Sequence, residues 1–180
     1  MSTDLASLRE RVCEANVDLV RAGLVTLSFG NVSGVDRAAG IMVIKPSGVP
    51  YDRLTPAAMV VVDLADGSVQ GGDLRPSSDT PTHLVLYRHQ PGIGGVVHTH
   101  SSFAAAFAQA GRPIPALGTT HADHFHGPVP VTRPLTAAEI EGDYEAETGN
   151  VIVETLEGLG FDAVHMPAAL VASHGPFAWG

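Results

Sequence analysis

The sequence predicts an α/β sandwich built on a largely antiparallel or mixed sheet. Two observations carry this reading. Helix-like spacing and short apolar, strand-like runs alternate along the chain, and they do so without a strict strand–helix–strand rhythm. The chain's 180 residues, 44% of them apolar, are enough for one domain with a sizeable core.

Leu5, Leu8, Val12, Ala15 and Leu19 recur at three- and four-residue spacing, the face of an opening helix that ends near Gly23. Strand-like runs follow in "LVTLSF", "IMVIK" and "MVVVDL", separated by turns such as "AAG" and "ADGS". "SSDTPTHLVLYRHQP" has polar residues at its start, Pro81 in its first turn and Pro91 past its end, as a helix requires. "GIGGVVHTH" reads as the next strand. The alanine-rich "SSFAAAFAQAG" reads as a helix that Gly111 ends. Residues 112–134 are loop-rich. A helical stretch runs from Thr136 to Glu157 with a break expected near Gly149, and "AALVASHG" is a late strand that delivers His174. No internal repeat or interdomain linker is visible, so residues 1–180 are expected to form a single domain.

Charge and cysteine content exclude several function classes. A net charge of -9 argues against broad nucleic-acid or anionic-membrane binding, while leaving room for an anionic small molecule at a locally positive site. Cys13 is the only cysteine, so no internal disulfide forms, consistent with a reducing compartment. The first twenty residues carry acids and arginines throughout and lack the apolar core of a signal peptide. No run of about 18 apolar residues exists to span a bilayer. A cytoplasmic location is expected.

"GGVVHTHSS" raises the sharpest chemical question. Alternate residues of a strand share a face, so His98 and His100 point the same way with Cα atoms ~7 Å apart. Imidazoles at that spacing can converge on one ion, or they can be two solvated residues at a strand end. His174 in "VASHGPF" and Asp79 in "PSSDTPTH" offer further ligands for a divalent metal. His121, His124 and His126 in "HADHFHG" form a competing loop cluster, and His83, His89 and His165 read as ordinary surface or partly buried residues.

Three other segments share an anion-binding chemistry. "SFGNVSG", "KPSG" and "PSSD" each set small residues, hydroxyls or bare backbone N–H groups in a turn, and Lys45 adds a positive charge. Taken singly, each is also an ordinary turn or helix cap.

In combination the segments resemble a known family. "LVTLSFGNVSGVDR", "IKPSGV", "PSSDTPTH", "GGVVHTHS", "GTTHAD", "ETGNVIVET" and "SHGPFAWG" occur in the order of the class II aldolase/ribulose-phosphate epimerase family, and are most similar to its L-ribulose-5-phosphate 4-epimerases. The resemblance implies a three-layer α/β/α sandwich with a central, mainly antiparallel sheet, assembled as a homotetramer. It implies a divalent metal, typically Zn²⁺, at His98, His100 and His174 with Asp79 as the carboxylate ligand. It sets the phosphate of a sugar phosphate against Gly30, Asn31, Ser47, Gly48, Ser77 and Ser78, and gives Asp123 the role of acid/base. Lys45, Thr119 and Glu145 are further site-lining candidates.

The activity implied is epimerisation of L-ribulose 5-phosphate to D-xylulose 5-phosphate in pentose and arabinose catabolism. The route is cleavage of C3–C4 and recombination on the other face. The aspartate at position 79, where the related sugar-phosphate aldolases generally carry glutamate, favours the epimerase over an aldolase. A scaffold module of the same fold is expected to lack the metal ligands that this chain retains. The family's second acid/base is a tyrosine in a C-terminal tail supplied by a neighbouring subunit. That tail has no counterpart in the 180 residues, and Tyr51, Tyr87 and Tyr144 do not match the tyrosine.

Overall fold

The structure, a computed structural model, describes residues 4–25 and 27–180. It opens with α1 (Leu5–Arg21), where the Ala6 amide donates to the side chain of the N-cap residue Asp4. Strands β1 (Gly30–Asp36), β2 (Ile41–Ile44) and β3 (Val60–Asp63) follow. Then come α2 (Thr80–His89), β4 (Gly95–Thr99), α3 (Ser102–Gln109) and the single turn α4 (Thr119–Ala122). The chain ends with α5 (Ala137–Glu141), α6 (Tyr144–Leu159), β5 (Ala168–Leu170) and β6 (Pro176–Trp179). The six strands form one sheet in the order β3-β2-β1-β4-β6-β5, and every neighbouring pair is antiparallel. No helix among the described residues is long and apolar enough to cross a membrane.

The layers follow from strand alternation. In β2, Ile41 and Val43 join Leu8, Val12 and Val61 in a core under α1. Met42 and Ile44 point the other way, into the larger core with Leu84, Leu86, Tyr87 and Leu156 of α2 and α6. Both faces of β2 are therefore buried, which is why its sequence is an unbroken apolar run.

Three sequence expectations change. First, "LVTLSF" is not a strand: its described residues lie in irregular chain and a turn, with a single bridge residue at Phe29, and Thr26 lies outside the described residues. Leu27 is 83% exposed with a left-handed φ of 58°, a backbone conformation that ends any extended run there. The strand is instead "GNVSGVD", which sits at the centre of the sheet between β2 and β4. Its low intrinsic strand preference is overridden by pairing on both sides. Gly34 also admits α1, since a Cβ there would stand 3.0 Å from Val12 Cγ2 and 3.2 Å from Leu8 Cδ1. Second, the helix of residues 136–157 breaks at Gly142, not Gly149. Thr136 and Glu139 form a capping box that starts α5, and Asp143 caps α6 afresh. Third, the late strand ends at Leu170, before His174, and a sixth strand follows it.

Candidate metal and sugar-phosphate site

The end of β4 and the β5–β6 turn build the centre of the site. His98 lies on β4 opposite Asn31 of β1, and His100 follows two residues later on the same side. His174 sits in the turn between β5 and β6, where Val171 and Gly175 pair across it. Gly175 makes this juxtaposition possible: a Cβ there would stand 2.9 Å from the Thr99 carbonyl oxygen. Only glycine lets the start of β6 approach the end of β4 this closely.

The three imidazoles converge. Nε2 of His98 lies 3.1 Å from Nε2 of His100 and 3.2 Å from Nε2 of His174. Nitrogens at ~2.1 Å from one tetrahedral ion stand about 3.4 Å apart, close to these separations. Among the described residues this is the only group of three or more His, Cys, Asp or Glu side chains whose ligand atoms gather so closely, within 4.8 Å of one another. Donor chemistry fits an ion as well. The Nδ1–H of His98 donates to the Pro176 carbonyl at 3.0 Å, which leaves an Nε2 lone pair facing the other two rings. Phe177 stacks on His98 at 4.1 Å and holds its plane. Burial, offset in part by Asp79, pushes the His98 pKa down to about 4, and burial also lowers that of His174. Both rings are therefore neutral near pH 7, as ligands must be.

Asp79 lies at the start of α2 but does not cap it. Its Oδ2 accepts from Asn31 Nδ2 at 2.5 Å and from Ser77 Oγ at 3.4 Å. The carboxylate lines the same cavity as the imidazoles, yet it is held by Asn31 and is not one of the converging group. Asp79, expected as a fourth ligand, shares the cavity with the imidazoles without joining their converging group.

The three Ser- and Gly-rich segments meet at the same place. A cavity of about 360 Å³ is lined by Gly30, Asn31, Lys45, Ser47, Gly48, Ser77 and Ser78, together with Asp79, the three histidines, Tyr144 and Glu145. The 45–48 and 75–79 loops are locked together by Ser47 N–H to Arg75 O (2.9 Å) and Ser77 N–H to Lys45 O (3.0 Å). Gly48 adopts φ +72° with open space where a Cβ would project. Lys45 is the one lysine or arginine in this lining, but its ammonium is turned onto its own loop. It donates to the carbonyls of Val49 (3.0 Å) and Pro46 (3.3 Å) and lies 4.8 Å from the centre of the Tyr51 ring. Burial lowers its pKa. Tyr51 in turn donates to the Gly30 carbonyl at 2.6 Å, so Lys45 and Tyr51 brace the loops from behind.

Two expected residues lie elsewhere. Thr119 and Asp123, at the two ends of α4, are absent from this cavity, and Asp123 lines a separate cleft with His124, His126 and His165. That segment is drawn aside because Ile114 pairs with Val129 and His126 N–H bonds the His165 carbonyl. His121 is committed to the Gly127 carbonyl at 2.7 Å, so the loop histidines do not converge as the first three do. His83 corrects a further expectation. It is fully buried, its Nδ1 lies 2.7 Å from Ser33 Oγ, and burial pushes its pKa down to about 3. Tyr144, set aside on sequence grounds, proves to line the cavity, with its hydroxyl 2.8 Å from Nδ1 of His174. No local pattern could have joined positions 144 and 174.

Residues 10–180 match the family model described as Class II Aldolase and Adducin N-terminal domain. The chain belongs to this family. Among solved structures, an L-fuculose 1-phosphate aldolase is 25% identical with a TM-score of 0.80, over 99% of this chain and 77% of that one. The L-fuculose-1-phosphate aldolase of Thermus thermophilus is 27% identical (TM-score 0.70, 98% and 79%). YgbL of Klebsiella pneumoniae, provisionally described as an aldolase/epimerase/decarboxylase, is 28% identical (TM-score 0.71, 99% and 80%). A class II aldolase domain with a histidine cluster able to hold a divalent ion suggests an enzyme acting on sugar phosphates.

Proposed function

We propose that this chain interconverts L-ribulose 5-phosphate and D-xylulose 5-phosphate, a metal-dependent 4-epimerisation in pentose and arabinose catabolism. The observation that carries the reading is one cavity in which three converging imidazoles and an aspartate face loops rich in hydroxyls and backbone N–H groups. A C4–H bond is not acidic, so inversion by simple deprotonation is a poor route. Breaking and remaking C3–C4 inverts C4 without removing that hydrogen.

His98, His100 and His174 would hold the ion, Zn²⁺ in this reading, with Asp79 the carboxylate nearest the same cavity. When bound, the ion supplies Lewis-acid stabilisation of the negative charge that develops as C3–C4 breaks. Gly30, Asn31, Ser47, Gly48, Ser77 and Ser78 would grip the phosphate. Their second task is to keep glycolaldehyde phosphate from leaving while its aldehyde turns its other face. Lys45 keeps the loop shaped for that grip. Asp79, held by Asn31, and Glu145 are the carboxylates of the cavity. A proton must leave the C4 hydroxyl and later return, which calls for groups on both faces. Asp123 is the proposed acid/base from the family resemblance. Because it does not line the cavity of its own chain, the role requires a neighbouring copy, and Thr119 travels with it. The same resemblance extends the proposal to a cytoplasmic homotetramer.

Incubation with L-ribulose 5-phosphate, with and without a chelator, tests this. D-xylulose 5-phosphate should appear and chelation should stop it. The second reading, a class II sugar-phosphate aldolase, is favoured by the two L-fuculose-phosphate aldolases among the structural relatives. It predicts net cleavage, with free dihydroxyacetone or dihydroxyacetone phosphate accumulating according to the substrate.

A further inference from the structure

The three histidines are not held alike. His98 is fixed twice, by a carbonyl that can only accept and by the ring of Phe177. His174 rides on a turn whose preceding residue, Ser173, has a left-handed φ of 64°. Apart from Tyr144 Oη at 2.8 Å, no described residue bonds its Nδ1. The two rings lie parallel within 10° at 6.0 Å between centres.

A phenol can donate or accept, and a neutral imidazole carries one N–H and one lone pair. If Tyr144 donated to Nδ1, the His174 proton would sit on Nε2, pointing toward His98 and blocking coordination. If Nδ1–H donates to Tyr144, Nε2 presents a lone pair beside that of His98, 3.2 Å away. Only the second arrangement makes His174 a ligand.

We propose that Tyr144 is a positioning residue for the metal centre, accepting the Nδ1–H of His174 and so fixing the tautomer and ring orientation that present Nε2 to a divalent ion. The role rests on the metal reading of His98, His100 and His174. Tyr144 is suited to it because it opens α6, which is tied down there. Thr82 of α2 donates to the Glu145 carbonyl at 2.5 Å, and Thr148 donates to the Tyr144 carbonyl at 2.8 Å. The hydroxyl therefore stands on the packing of two helices rather than on a loop, and metal affinity becomes coupled to how α6 docks on α2.

Tyr144→Phe removes one oxygen and keeps the ring. The Zn²⁺ dissociation constant, read by competition with a chromogenic chelator, should rise about 10- to 100-fold, and the visible bands of the Co²⁺-loaded protein should change. The melting temperature of the metal-free variant should stay near that of the wild type, and saturating metal should restore most turnover. A dissociation constant within about threefold of wild type, with unchanged Co²⁺ bands, overturns the role while leaving the metal reading intact. A wild type that takes up no divalent ion overturns both. Should the variant lose its fold, ¹⁵N shifts of the wild-type histidine rings decide the matter. A His174 protonated at Nδ1 in the zinc-loaded protein supports the proposal, and one protonated at Nε2 or coordinated through Nδ1 refutes it.

Discussion

Replacing Gly149 with alanine puts a methyl group where α6 crosses α2. The new Cβ would stand 2.6 Å from Val85 Cβ, 2.9 Å from Val85 Cγ1 and 3.1 Å from the Thr82 carbonyl oxygen. Carbon atoms pack at roughly 3.5–4.0 Å, so the helices must part by about 1 Å. Overpacking of this kind costs about 1–3 kcal/mol. Alanine's better helix propensity returns at most ~1 kcal/mol, so the steric term sets the sign and a net loss of up to about 2 kcal/mol is expected. Gly158 is the internal control. It lies in the same helix with nothing within 4 Å of its added Cβ, so Gly158→Ala should stabilise by about 0.5–1 kcal/mol. Urea denaturation of both variants measures the pair of signs. Separation of the helices also moves Tyr144, so Gly149→Ala should weaken Zn²⁺ binding and Gly158→Ala should not. A Gly149→Ala protein as stable as Gly158→Ala would refute the packing argument.

Other outcomes follow from the same geometry. His83 has its folded-state pKa pushed down to about 3, so the unfolded chain binds its proton first. Its stability contribution is full above about pH 6.5 and is lost as pH falls toward 3, by about 1.4 kcal/mol per pH unit once the unfolded chain is protonated; His98 and His174 act in the same direction. The urea midpoint of the metal-free protein should therefore fall between pH 7 and pH 5, and His83→Gln should flatten that slope; equal slopes would remove His83 from the account. Phe177→Ala should cost about 3–5 kcal/mol and weaken metal binding, since Phe177 is wholly buried and stacks on His98; a loss below about 1 kcal/mol in urea would contradict it. Gly175→Ala should lower metal affinity by pushing β6 off the Thr99 carbonyl, and unaltered Zn²⁺ competition would show that the close approach is dispensable.

How far the sequence reached differs from element to element. Helix α1 was legible from the period of its apolar face, β2, β3 and β4 from short apolar runs bounded by turns, and α2 from its polar start and the prolines at its two ends. β1 was not, because glycine, asparagine and serine are strand residues here only by virtue of β2 and β4 on either side. "LVTLSF" misled because its apolar residues are not buried: Leu27 and Phe29 end up exposed, and Leu27 takes a left-handed φ. Gly149 read as a helix break because its true constraint, Val85, lies on another helix far back in the chain. At the site, His98 and His100 were legible from strand period. His174, Asp79 and the Ser- and Gly-rich loops stood out singly by residue chemistry, and the family resemblance joined them into one site. The burial of His83, the turning of Lys45 onto its own loop, the exclusion of Asp123 from the cavity and the bond from His174 to Tyr144 all depend on which segments fold against each other.

The central claim is that one ion held by His98, His100 and His174 is required for sugar-phosphate carbon–carbon chemistry. The most direct measurement is metal content and turnover of L-ribulose 5-phosphate, taken together on the wild type and on His98→Asn. The account predicts about one divalent ion per wild-type chain, little or none in His98→Asn, and a turnover that disappears with the ion. A His98→Asn protein free of metal that turned the substrate over at the wild-type rate would contradict it.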